Sequence, residues 1–165
     1  MTSTIDRRKM SVHGVADKTV ETLKSGKYPF VVLNLANPDM VGHTGKLDKA
    51  IEAVGHCDQA IGTIYQACKE LGYILFVTAD HGNAEKMIDD DGGPCTSHTV
   101  IFPIAMLMET AHVPFIMTPT GNEKYEFNIK GSDNPGALRD VAPTVLDVMG
   151  IEIPKEMDGE SRIKH

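Results

Sequence analysis

The chain has 165 residues, 41% hydrophobic and 24% charged, with a formal net charge of −7. That length and balance fit one soluble domain with a real core, and the acidic charge argues against non-specific nucleic-acid binding. No run reaches the roughly 18 apolar residues that span a bilayer, and the basic start MTSTIDRRKMSVHG lacks the apolar stretch of a secretory signal. A cytoplasmic location with no membrane partner is therefore expected.

Residues 13–27 read as a short helix with Val15, Thr19, Val20 and Leu23 on one side and Gly26 as its stop. YPFVVLNL, 28–35, is a continuous apolar run and reads as a buried strand. ANPDMVGHTG follows as a loop. Leu47, Ile51, Val54, Ile61, Ile64, Tyr65, Cys68 and Leu71 recur at helical spacing, which predicts a long helix over 47–71 ended by Gly72. YILFVT, 73–78, is a second strand, so the three segments make a βαβ unit with parallel strands. IDDDGGPCTSHT is a polar loop whose Asp89, Asp90 and Asp91 are solvated. VPFIMT, 113–118, is a third strand. RDVAPTVLDVMG is a helix with Asp140 as N-cap, Pro143 in the first turn and Gly150 as stop. The three cysteines, Cys57, Cys68 and Cys95, are odd in number and irregularly spaced, which suits a reducing compartment. Cys57 and Cys68 return to one helix face and read as small core residues.

Ligands of parallel α/β sheets gather beyond the carboxyl ends of strands. Two loops leaving such ends carry oxygen and nitrogen donors: one holds Asp39 and His43, the other Asp80 and His81. A later loop adds His98. If the first loop winds into a helix, the i, i+4 spacing puts Asp39 and His43 about 5–6 Å apart on one face, where both could grip one divalent ion. Gly82 lets the backbone bend so that Asp80 and His81 can converge. Mixed carboxylate and imidazole donors suit Mn²⁺ or Zn²⁺ better than Ca²⁺. A loop histidine is ordinarily polar surface, and an Asp before Gly an ordinary turn, so spacing alone leaves both readings open. His13, His56, His112 and His165 read as ordinary polar or packing residues.

In order along the chain, NLANPDMVGHTG, VTADHGNAEKM, TSHT, VPFIMT and DVAPTVLDVMGIEIPKEMDGES together resemble the C-terminal part of the cofactor-independent (2,3-bisphosphoglycerate-independent) phosphoglycerate mutases of the alkaline phosphatase superfamily. The resemblance covers most of the chain, from about Met10 onward. It implies an α/β fold of three α/β/α layers around a mostly parallel sheet, incomplete in this chain. It also implies two Mn²⁺ ions side by side, with Mg²⁺ or Co²⁺ in some members. Residues matching Asp39, His43 and His98 hold one ion in the family, and those matching Asp80 and His81 help hold the other, with Asn83 and Glu85 as outer neighbours of that second pocket. A serine relays the phosphoryl group between 3-phosphoglycerate and 2-phosphoglycerate, helped by cations that lower the hydroxyl's pKa and clamp the transferred charge. The family is usually monomeric, and its partner is the small phosphoglycerate substrate.

The family is longer than this chain. Its nucleophilic serine, a further aspartate ligand and an inserted substrate-binding domain come from an N-terminal stretch without a counterpart here. Ser3, Ser11, Ser25, Ser97, Ser132 and Ser161 do not match the nucleophile's surroundings. The expectation is a C-terminal portion of a metalloenzyme domain, inactive alone, with an unpaired strand edge and an uncovered apolar face. The apolar stretch 100–112, VIFPIAMLMETAH, stands as an insertion before the third strand. A metal-dependent phosphatase or phosphodiesterase of the same superfamily, and a non-catalytic metal-binding domain, are the alternatives.

Overall fold

The computed structural model describes residues 11–98, 113–118, 125–127 and 136–164. The insertion 100–112, with His112, and the terminal His165 lie outside them. Helices α1 (Val12–Lys24), α2 (Asn37–Gly42), α3 (Leu47–Leu71) and α4 (Val141–Val148) accompany short strands β1 (Phe76–Thr78), β2 (Phe115–Met117), β3 (Glu126–Phe127) and β4 (Ile163–Lys164). No helix among the described residues is long and apolar enough to cross a membrane.

The long helix α3 has the expected bounds, and Gly72 closes it in the left-handed region at φ 76°. Its buried face differs from the expected one. Ala50, Ala53, Cys57, Ala60, Ile64, Ala67 and Cys68 are buried, whereas Leu47, Ile51, Val54 and Leu71 are all more than 40% exposed. Small side chains let a neighbouring helix approach closely, and α1 does so. Val12, Ala16 and Leu23 of α1 join Cys57, Ala60, Ile64, Ala67 and Cys68 in one core. All three cysteines are buried and free. Burial pushes the thiols of Cys57 and Cys68 up from their ordinary value, so they are packing groups rather than nucleophiles.

Residues 28–35 are not a strand: they make no ladder among the described residues. They are nonetheless patterned like one. Val31, Leu33 and Leu35 pack on the helical core, while Phe30 and Val32 are 52% and 76% exposed. One face is covered by helices and the other by nothing described. A strand is defined by its hydrogen-bonded neighbour, which a local apolar run cannot supply.

The parallel pairing expected of 28–35 with 73–78 is not formed among the described residues, and β1 pairs instead with the third segment. Phe76, Val77 and Thr78 pair antiparallel with Met117, Ile116 and Phe115, and β3 pairs antiparallel with β4. Thr118 extends the β1–β2 ladder, its N–H donating to Leu75 O at 2.9 Å and its hydroxyl accepting from Leu75 N–H at 3.0 Å.

At α4, Asp140 precedes the helix but makes no side-chain bond into its first turn. It turns back instead. Its carboxylate accepts from the N–H groups of Ala137 at 2.9 Å and Glu160 at 3.1 Å, and from Arg162 Nε at 2.8 Å. The tail residue Arg162 needs a buried counter-charge, and that demand outweighs a cap. Pro143 sits in the first turn and Gly150, at φ 69°, ends the segment, as expected.

Candidate metal centre

The run 37–42 winds into α2, with Pro38 near the start of the helix where its missing N–H is harmless. One turn on, Asp39 and His43 share a face, with Oδ1 and Nε2 3.3 Å apart. His98 arrives from the loop after β1. Its Nε2 lies 2.9 Å from Asp39 Oδ1 and 3.0 Å from His43 Nε2. Three donor atoms on residues 39, 43 and 98 thus form a nearly equilateral triangle. Ligands about 2.1 Å from one first-row divalent ion, at octahedral to tetrahedral angles, lie roughly 3.0–3.4 Å from each other. The triangle therefore fits such an ion, and each residue is partly open to solvent.

The direction of the lone pairs supports the same fit. His43 Nδ1 lies 2.7 Å from the carbonyl of Thr96. A carbonyl only accepts, so the hydrogen-bond network assigns the proton to Nδ1 and leaves Nε2 with its lone pair toward the triangle. A backbone carbonyl behind the far nitrogen is the usual arrangement for a metal-binding imidazole. His81 is held the same way, with Nδ1 3.2 Å from Gly82 O. Its ring stacks on His98, centroids 3.9 Å apart, and its Nε2 stands 4.0 Å from Asp39 Oδ1.

Of the five residues singled out from the sequence, Asp39, His43 and His98 meet, and His81 lies against them. Asp80 does not join. Its side chain is 77% exposed, and its Oδ1 lies 3.7 Å from His81 Nε2. Glu85 takes the backbone N–H of Asn83 at 2.6 Å, which fixes the turn after Gly82. Asn83 itself was expected beside a second pocket. It touches the first site: its amide Nδ2 donates to Asp39 Oδ1 at 2.8 Å. Sequence spacing carries no sign of that contact, because Asp39 sits on α2 and Asn83 on the loop after β1, forty-four positions apart.

A family model described as the Metalloenzyme superfamily matches residues 2–153. The chain belongs to the Metalloenzyme superfamily. This metalloenzyme chain is 51% identical over 151 residues to the 2,3-bisphosphoglycerate-independent phosphoglycerate mutase of Brugia malayi, and 46% identical over 155 residues to that of Caenorhabditis elegans. These alignments cover 92% and 94% of the chain but 27% and 26% of the relatives. The chain thus spans about a quarter of the length of the curated relatives it matches. Its fold matches a Leishmania mexicana phosphoglycerate mutase, crystallised at low cobalt concentration, with a TM-score of 0.79 and 28% identity, over 95% of this chain and 29% of that one. The alkaline phosphatase-like α/β fold expected of the chain agrees with this neighbour.

Proposed function

We propose that the chain is the C-terminal portion of the metal-binding domain of a 2,3-bisphosphoglycerate-independent phosphoglycerate mutase, a soluble cytoplasmic isomerase that interconverts 3-phosphoglycerate and 2-phosphoglycerate through a phosphoserine. Asp39, His43 and His98 hold one divalent cation, Mn²⁺ first and Mg²⁺ or Co²⁺ next. Asp80 and His81 contribute to a second ion completed by residues beyond this chain. The observation that carries this reading is the Asp39–His43–His98 triangle, with donor atoms 2.9–3.3 Å apart. The names of the relatives supply the reaction.

In such a site the cations supply positive charge that favours an ionised serine hydroxyl and a transferring phosphoryl group. This chain's residues supply the scaffold. Asp39 contributes the anionic charge, and Thr96 O holds His43 in the tautomer whose Nε2 can donate its lone pair. His81 shields one side of His98 by stacking. Of the described serines, Ser25 donates to Thr22 O and Ser161 donates to Asp147. The isolated 165-residue chain is therefore expected to bind the cation without turning over phosphoglycerate. A non-catalytic metal-binding domain is the second reading, favoured because none of the chain's serines matches the surroundings of the family's nucleophile.

Calorimetric titration of Mn²⁺ into the purified chain tests the site, beside an Asp39→Ala/His43→Ala double variant. Saturable binding by the first and none by the second is expected, and equal binding by both removes the proposal. A coupled mutase assay on the same sample separates the readings of the isolated chain, since turnover free of contaminating enzyme contradicts its inactivity.

A further inference from the structure

Asn83 is 5% exposed, with its side-chain amide lying between Asp39 and Gly42. The carboxylate of Asp39 can only accept, so the NH₂ end of the amide must face it, at 2.8 Å. The same nitrogen stands 3.5 Å from His43 Nε2. The oxygen end lies over α2 at Gly42, where an added Cβ would sit 2.2 Å from Oδ1 and 2.9 Å from Cγ. Gly42 has an ordinary helical conformation and is buried, so space rather than backbone dihedral demands a glycine there. The Asn83 backbone is fixed in turn by the Glu85 carboxylate at 2.6 Å.

These contacts exclude Asn83 as a ligand. Its oxygen is turned to Gly42, and an amide nitrogen has no lone pair to give a metal. What the amide does is occupy one lone-pair direction of Asp39 Oδ1, the oxygen that also faces His43 and His98. A carboxylate held this way is less free to swing.

Resting on the cation site proposed above, we infer that Asn83 is a positioning residue that aims Asp39 at the cation, and that Gly42 is glycine in order to make room for it. Outer hydrogen-bond partners of metal ligands typically matter by about 10–100-fold in affinity. The amide also ties the loop carrying Asp80 and His81 to the helix carrying Asp39 and His43.

The test is calorimetric Mn²⁺ titration and the visible absorption of the Co²⁺-loaded protein for the unaltered chain, Asn83→Ala and Gly42→Ala. Circular dichroism melts without metal run alongside. Affinity about 10–100-fold weaker in both variants is expected, with a changed Co²⁺ spectrum as Asp39 is released. A lost packing contact alone would lower the melting temperature and leave the Co²⁺ spectrum as it was. Unchanged affinity and superimposable spectra in both variants, with the unaltered chain binding normally, overturn the inference while sparing the site. Failure of the unaltered chain to bind Mn²⁺ or Co²⁺ overturns both.

Discussion

Two pairs of histidines in this molecule have facing nitrogens 3.0 Å apart, and they are opposite in kind. His13 of α1 and His56 of α3 have ring centroids 5.2 Å apart, whereas His43 and His98 have theirs 4.7 Å apart. At equal nitrogen separation, the longer centroid distance means that the first two rings point at each other end to end. One nitrogen donates and the other accepts, so the pair is satisfied within the protein and ties α1 to α3. The second pair is bent, and Asp39 Oδ1 lies within 3.3 Å of both nitrogens. Separation of two imidazole nitrogens therefore does not identify a metal site. Convergence of their lone pairs beside a carboxylate does.

That contrast divides the polar groups of the chain into those completed by protein and those that want a cation, and substitutions should respect the division. The largest expected effect is the complete loss of Mn²⁺ binding in Asp39→Ala/His43→Ala, while His56→Ala keeps the affinity of the unaltered chain. Calorimetric loss of binding in His56→Ala would erase the distinction.

Next comes Arg162→Met, which leaves Asp140 buried without its counter-charge. Breaking a buried pair costs roughly 3–5 kcal/mol, read as a fall in the urea midpoint with Mn²⁺ affinity unaltered. Burial by itself would push the Asp140 carboxyl up, but the Arg162 guanidinium and the N–H groups of Glu160 and Ala137 together hold it below the ordinary carboxylate value. A carboxyl lowered by folding adds stability that is fully present above its unfolded value of about 3.9. That stability disappears as pH falls through the still lower folded value. Urea midpoints of the unaltered chain should therefore drop steeply below about pH 4, more steeply than those of Asp140→Asn. Parallel pH curves would show that the pair contributes nothing through ionisation.

The smallest effect is that of His56→Ala on stability, about 1 kcal/mol for one lost hydrogen bond, measured as a small drop in melting temperature. A drop comparable to that of Arg162→Met would mean that the imidazole pair carries far more of the α1–α3 contact than one bond can.

Local rules sufficed for some of this. The bounds of α3 and its left-handed stop at Gly72 follow from 3.6-residue periodicity and from glycine's freedom at positive φ, whereas the shared face of Asp39 and His43 waited on the segment read as a loop winding into α2. Pairing was not legible. The segment 28–35 alternates like a strand, yet a ladder needs a neighbour, and the partner chosen for β1 was antiparallel. Nor could periodicity say that α3 would bury its alanines rather than its larger apolar residues, because that depends on how closely α1 approaches. At the site, tertiary structure alone decided that His98 meets Asp39, that Asp80 faces water and that Asn83 reaches across forty-four positions to the Asp39 carboxylate. Backbone periodicity is a property of neighbours in sequence, whereas the convergence of donor atoms is a property of neighbours in space.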